Sequence, residues 1–376
     1  STLIIQGNEK VIRPRLSDAE FFYTQDKKKP LKDYLSHLQH IVYHNKLGTQ
    51  SERAERVKTI ASLIVKNLNQ PKLLEDVMLA SDLSKADLSS NMVGEFPELQ
   101  GIMGRYYALN EKISEEVAFA IEDHYKPRFS GDTLPRNSVG DIVAIADKIE
   151  TLIGLFSIGE KPTGDKDPFA LRRQVIGIIR ILTEKNIGLN LNTTISDSIK
   201  TTKLAESKDL NSFIYDRISN FFKDQGYAAL DIDAVLAIDS GLISEIPKRL
   251  NAIKEFSQLP ESKDLASANK RVGNILKKAD FKSALKIDPA LLKDIAEVNL
   301  YKTLDLVDAE ARKEYLANNY SSSLKLLCKL KNPIDQFFND VMVNVEDESL
   351  KMNRLALLEK LYSAMNLVAD LSKLSS

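Results

Sequence analysis

The sequence predicts a mainly α-helical protein of roughly two or three domains. Three observations lead there. Apolar residues recur at helical spacing: "ERAERVKTIASLIVKNL" puts Val57, Ile60, Ala61, Ile64 and Leu68 on one stripe, and "DIVAIADKIETLIG" puts Ile142, Ile145, Ala146, Ile149 and Ile153 on another. From about residue 261 onward almost every segment reads as helix, most strongly "SKDLASANKRVGNILKKAD", "PIDQFFNDVMVN" and "SLKMNRLALLEKLYSAMNLVADLSKL". The chain has 376 residues, 43% of them hydrophobic, which is enough for more than one core.

The elements follow in order. "TLIIQ" reads as a short strand, and Ser17 with Glu20 as a capping box that opens a helix. In "GEFPELQGIMGRYYA", residues 94–108, Pro97 takes a first helical position and Gly101 and Gly104 fall inside the helix. Each such glycine weakens a helix by about 1 kcal/mol relative to Ala and permits close approach of another backbone. In "IGEKPTGDKDPFALRRQVIGIIRIL", residues 158–182, a broken loop gives way to a helix burying Leu171, Val175, Ile178, Ile179 and Leu182. Asp167 and Pro168 read as its N-cap and first residue. Residues 183–210 are polar and weakly periodic and read as a connection. "NSFIYDRISNFFKDQG", "LDIDAVLAI" and "IPKRLNAIKEFSQLP" then form a further helical block. No short repeat or low-complexity tract is present.

Composition excludes several classes. Lys and Arg number 52 against 53 Asp and Glu, so any nucleic-acid surface must be local. No apolar run approaches the roughly 18 residues of a membrane span. Cys328 is the one cysteine, which rules out an internal disulfide framework and a multi-cysteine zinc site. Its setting, "LKLLCKLKN", predicts a buried structural thiol, and a reducing cytoplasm fits. The chain opens "STLIIQGNEK", without Met, and is expected to be a piece of a longer protein.

Three groups of residues carry candidate chemistry. Lys161, Lys166, Arg172 and Arg173 crowd a helix start, where the dipole disfavours cations. Either an anion or acidic partner binds there, or the loop is solvated and its arginines pair with local carboxylates. No G-K-[ST] follows, so it is not a Walker A loop. His37, His40 and His44 would share a helix face and superficially resemble a metal site, although a partly exposed face is the simpler expectation. Asp87 in "KADL", His124 in "AIEDHYKPRFSGDTLP" and Asp147 in "AIADKIETL" occur in a succession that resembles the HD superfamily of metal-dependent phosphohydrolases. Ala86 replaces the His of the pair, and the helix "ERAERVKTIA" supplies no His either, so the expectation is an HD-like fold with a dead or altered metal centre. An active HD-type phosphohydrolase using Asp87, His124 and Asp147 is the alternative.

Longer stretches resemble one family. "GNEKVIRPRLSDAEFFYTQDKKKPL", "YHNKLGTQSERAERV", "SKADLSSNMVGEFPELQGIMGRYYA", "HYKPRFSGDTLP", "ADKIETLIGLFSIGEKPTGDKDPFALRRQVIGIIRIL" and "ASANKRVGNIL" occur in the order found in the β subunit of the bacterial two-subunit glycyl-tRNA synthetase. The resemblance covers nearly the whole chain. It implies the end of an N-terminal region (1–35), an HD-like helical domain (36–190), a helical connector (191–260) and a DALR-like anticodon-binding domain (261–376). It further implies a cytoplasmic tRNA-binding subunit, in an assembly of two α and two β subunits, that positions tRNA(Gly) for glycyl transfer. The adenylate chemistry, with ATP and Mg, would belong to the α subunit, with no cofactor, membrane or DNA for this chain. The basic loop at Lys161, Lys166, Arg172 and Arg173 would then meet the acceptor arm.

In "ANKRVGNILKK", Val272, Ile275 and Leu276 read as buried, while Lys270, Arg271, Asn274 and Lys277 face outward. That face is either solvated or in contact with the anticodon stem. Phe337 and Phe338 are either core residues or stacking platforms. A helical scaffold that only holds the α subunit is a third reading.

Overall fold

The computed structural model describes residues 2–238, 240–279 and 286–375. Within them lie α1 (Thr2–Asp26), α2 (Gln50–Asn67), α3 (Leu74–Leu83), α4 (Asn91–Glu95), α5 (Ile102–Asn110), α6 (Glu115–Asp123), α7 (Ser138–Ser157), α8 (Leu171–Glu184) and α9 (Leu191–Thr202). Then come α10 (Lys208–Asp224), α11 (Ala229–Ala237), α12 (Ile246–Phe256), α13 (Ser262–Lys278), α14 (Ile295–Leu316), α15 (Tyr320–Leu326), α16 (Lys331–Asp340) and α17 (Glu348–Met365). One antiparallel hairpin, β1 (Val42–His44) with β2 (Gly48–Thr49), precedes α2. The chain forms two compact units, Ser1–Ile218 with Gly241–Ser244, and Ser219–Ser240 with Glu245–Ser376.

The first unit is organised around α7, against which α2, α3, α6 and α8 pack. Every residue of α7 from Val139 to Phe156 is buried. The apolar stripe explains one face only. The rest carries Asp141, Asp147, Lys148, Glu150 and Thr151, all buried as well. Such charges are tolerated only when partnered inside the fold, and that requirement shapes the site described below. The α2 start is a capping box: the Glu52 N–H donates to Thr49 Oγ1 at 3.3 Å, and the Glu52 carboxylate accepts the Thr49 N–H at 2.7 Å. Buried Asp26 ends α1 by accepting from the Asn91 and Met92 N–H groups at 3.1 and 2.9 Å and from the Tyr107 hydroxyl at 2.8 Å.

Several local expectations are corrected. "TLIIQ" belongs to α1, because no strand is there to pair with it and a helix satisfies its own backbone. Ser17 and Glu20 sit inside the same helix, with Ser17 facing solvent, where a serine is tolerated. Pro97 opens a separate 3-10 turn, Pro97–Leu99. Gly101 precedes α5 with φ +80°, a conformation that favours glycine, and only Gly104 is helical. α8 starts at Leu171 rather than Pro168, because Pro168 and Phe169 form a turn; Asp167 still caps it, accepting the Leu171 and Arg172 N–H groups at 2.8 and 3.0 Å. The supposed connection 183–210 contains α9, which buries Leu191, Thr194, Ile195 and Ser198; threonine and serine on the inner face blur the apolar period.

In the second unit α14 packs on α15, α16 and α17, and α13 lies against α17 and the 3-10 turn Leu371–Leu374. A buried amide pair joins α13 to the end of α17, with Asn269 Nδ2 donating to Asn366 Oδ1 at 2.8 Å. Arg354 ties α17 to Glu297, to Asp294 at 2.8 Å and to the Met342 carbonyl at 2.6 Å. The predicted helix through Asn344 ends at Asp340, and the terminal one at Met365. Asp280, the last residue of the predicted α13 segment, lies outside the described residues. Cys328 is half-buried rather than enclosed, in the short turn Leu327–Leu330.

Candidate nucleic-acid interface

α13 buries Leu265, Ala266, Asn269 and Val272, which turns the opposite face to solvent. Lys270, Arg271, Asn274 and Lys277 are all exposed there. Ile275 and Leu276, expected in the core, are half-buried. Ile275, with Arg271 and Lys278, instead lines two cavities. One, about 810 Å³, is walled by Phe338, Asn339 and Asp340 at the end of α16, the loop 341–344 and Leu355. The other, about 460 Å³, is walled by Ser267, Lys270, Asn274 and Ser375. The Arg271 guanidinium lies 4.0 Å from the centre of the Phe338 ring. Phe337 is fully enclosed, so the pair divides into a core residue and a surface platform. Among the described residues, Lys270, Lys277 and Lys278 have no carboxylate partner.

In the first unit, Asp87, His124 and Asp147 gather around a residue that the sequence reading passed over, Lys85. Its Nζ lies 2.7 Å from His124 Nε2 and 3.0 Å from Asp147 Oδ1. His124 Nδ1 faces the Ile121 carbonyl at 2.7 Å and must carry the proton, so Nε2 accepts from the Lys85 ammonium. Arg53 reaches Asp147 at 3.1 Å and Glu150 at 3.0 Å, and Arg56 reaches Glu150 at 2.8 Å. Asp87 Oδ2 accepts the Gly101 and Gly104 N–H groups at 2.5 and 2.9 Å.

The electrostatics follow from this arrangement. Burial pushes Lys85 down to about 8 and Asp87 up to about 6. Burial, then the neighbouring Lys85 charge, depresses His124 well below its ordinary value. Burial alone would raise Asp147, but Arg53 and Lys85 outweigh it and hold it far below the carboxylate range. These residues do not fit a divalent cation, because an ammonium and a guanidinium already take Asp147 and the ammonium takes His124 Nε2, which leaves one oxygen of Asp87 as the only buried unpartnered donor atom of the three. Among the described residues no group of three His, Cys, Asp or Glu is placed to hold a metal.

The signal for Lys85 was the lysine beside the absent His in "SKADL". That for Arg53 was an arginine on the helix that lacks its His. His37 and His40 lie in the 3-10 helix Leu31–His40 and His44 on β1, so they do not share one α-helical face.

The basic loop is only partly free. Lys161 pairs with Asp209 at 2.6 Å, and the Arg172 guanidinium donates to the Gly164 carbonyl. Lys166 and Arg173 have no acidic partner among the described residues.

The fold is that of a mainly helical protein, and residues 265–371 of it match the DALR anticodon binding domain. Residues 1–237 match the family described as glycyl-tRNA synthetase beta subunit. The chain belongs to the glycyl-tRNA synthetase beta subunit family. It is 54% identical to a glycine–tRNA ligase beta subunit of Methylobacillus flagellatus, over 99% of this chain and 53% of that protein. It is also 51% identical to that of Delftia acidovorans and 52% to that of a Janthinobacterium species, each over 100% of this chain and 54% of the relative. The chain thus spans about half the length of the curated relatives it matches. Nothing in the comparisons supports the phosphohydrolase alternative.

Proposed function

We propose that this chain is the tRNA-engaging part of a glycine–tRNA ligase β subunit, which positions tRNA(Gly) for glycyl transfer at the active site of an α subunit. ATP and Mg would act there, in a cytoplasmic assembly of two α and two β subunits. The observation that carries the reading is the exposed face of α13: Arg271 lines a cavity of about 810 Å³ and lies over Phe338, Lys270 and Asn274 line a second of about 460 Å³, and Lys277 is exposed on the same helix. Cations neutralise phosphates and set register, while aromatic and guanidinium planes stack on unpaired bases. On this reading 261–376 meets the anticodon arm, 36–190 the acceptor arm and 191–260 connects them. Of the loop cations, Lys166 and Arg173 are available as they stand, whereas Lys161 and Arg172 would have to exchange partners. The contribution is positioning, which can account for a large share of a transfer rate.

Binding of the full chain to tRNA(Gly) and to a non-cognate tRNA across a salt series tests this. Cognate-preferring, salt-sensitive binding that weakens about tenfold or more in Arg271→Ala is expected. No binding to either tRNA would favour the helical scaffold.

A further inference from the structure

The loop after α6 and the start of α8 together form a small cleft of about 260 Å³ in the first unit, lined by Gln100, Tyr125, Arg128, Arg173 and Gln174 among others. No carboxylate lines it. Among the described residues neither guanidinium and neither carboxamide has a side-chain hydrogen bond or ion pair, and the Arg128 guanidinium lies 5.9 Å from the centre of the Tyr125 ring. Asp132, the carboxylate nearest Arg128 in sequence, is taken up by backbone: Oδ2 accepts the Arg128 N–H at 2.7 Å and Oδ1 the Thr133 N–H at 2.8 Å. The leading N–H groups of α8 are likewise taken by Asp167, so side chains rather than a helix end would carry the site.

The walls of the cleft are held in place. Lys148 Nζ donates to the Lys126 carbonyl at 2.7 Å, which fixes the backbone just before Pro127 and Arg128. Ala170 turns the chain into α8 at φ +55°, a left-handed conformation that alanine disfavours. Tyr125 is backed by the enclosed cationic centre, with Lys85 Nζ 4.2 Å from its ring centre and the His124 ring 3.8 Å away.

We propose that the cleft between Arg128 and Arg173 binds a phosphate group. Two planar forks and two carboxamides offer more donors than the two oxygens of a carboxylate can use, and they suit a tetrahedral oxyanion. Size narrows the choice. The cleft falls below the roughly 300 Å³ at which sites for whole small molecules begin, so it takes one phosphate with part of its ester rather than a nucleoside triphosphate. The source is either a strand of RNA, which rests on the tRNA reading above, or a free phosphate or small ester, which does not.

The full chain is titrated with inorganic phosphate at constant ionic strength against chloride, as wild type, Arg128→Ala, Arg173→Ala and the double variant. All these positions are exposed, and circular dichroism checks that each variant folds. The expected result is saturable phosphate binding in the wild type, weakened about tenfold by either single change and little further by the double one, since both arginines grip one group. A wild type that prefers phosphate no more than chloride overturns the proposal, as do losses that simply add like those of separate surface charges.

A second arm measures tRNA(Gly) binding across salt, with Lys72→Ala as a control at an exposed cation that the tRNA reading does not use. A fall in salt slope of about one phosphate in the double variant identifies a strand as the source. An unchanged slope with phosphate binding lost in the variants identifies a free phosphate ester. If the wild type binds no tRNA, the tRNA reading fails while the phosphate titration still decides the cleft.

Discussion

Lys85 Nζ sits 3.0 Å from Asp147 Oδ1, with 1% and 8% of the two side chains exposed. A fixed ammonium thus stands where the HD pattern would bring a cation to the same aspartate. Its charge is covalently part of the chain, so the centre requires no ligand to neutralise the carboxylates of α7.

Lys85→Met should therefore unfold more easily, by about 3 kcal/mol, because it leaves Asp147 and the His124 ring with one donor fewer in a closed interior. Arg53 stays in contact with Asp147 and keeps the loss at the low end of the range for buried pairs. Urea unfolding measures it, and an unchanged midpoint would show that the pair contributes nothing.

Asp26→Ala removes the acceptor shared by the Asn91 and Met92 N–H groups and the Tyr107 hydroxyl. The expected destabilisation is about 2–4 kcal/mol, since buried donors are left unsatisfied. Faster hydrogen exchange at the Asn91 and Met92 amides should accompany it. Protection equal to wild type would contradict the role given to this carboxylate.

At Gly104 an added Cβ would come within 2.6 Å of Ile121 Cγ2 and 3.2 Å of Asp87 Oδ2. Ala normally stabilises a helix relative to Gly, but overpacking of this kind reverses the sign and should cost about 1–3 kcal/mol. A thermal midpoint at or above wild type would mean that the α5–α6 contact yields readily.

Burial pushes Asp141 up to about 6, and the Lys185 charge offsets this only in part. The native state binds a proton below about 6 that the unfolded chain takes up only near 3.8, so this group favours folding as pH falls through that window. Asn mimics the protonated acid. The stability of Asp141→Asn relative to wild type should be greatest near pH 7.5 and decline toward pH 4. A difference that does not vary with pH, in denaturant titrations at both values, would remove the assignment.

Phe337 and Phe338 should separate cleanly. Phe337→Ala empties a closed core position and should cost about 3–5 kcal/mol of stability. Phe338→Ala should cost less than about 1 kcal/mol and instead weaken tRNA binding about tenfold, as loss of a stacking surface does. Equal stability losses would return Phe338 to the core.

Much of the fold was legible because local periodicity reports burial directly. The stripes of α2, α7 and α8 are enclosed as expected, apart from Leu68, which is half-buried at the end of α2. The outward face of α13 was legible for the same reason. α9 was missed because its inner face uses Thr194 and Ser198, whose hydroxyls bond to backbone carbonyls of the preceding turn and so need no apolar period. The capping signature at Ser17 misled because the helix already ran through it.

The sequence by itself determined the helical class, the apolar stripes, the basic character of two surfaces and, through long ordered motifs, the family. Only the tertiary structure decided that α7 is enclosed on every side, that Lys85 and Arg53 neutralise Asp147, that Phe338 but not Phe337 reaches the groove, and that Arg128 joins Arg173. Periodicity is a local property, set within one helix by the burial of one face. The pairing of charges far apart in sequence depends on which helices meet, and burial makes those pairings obligatory without naming the partner.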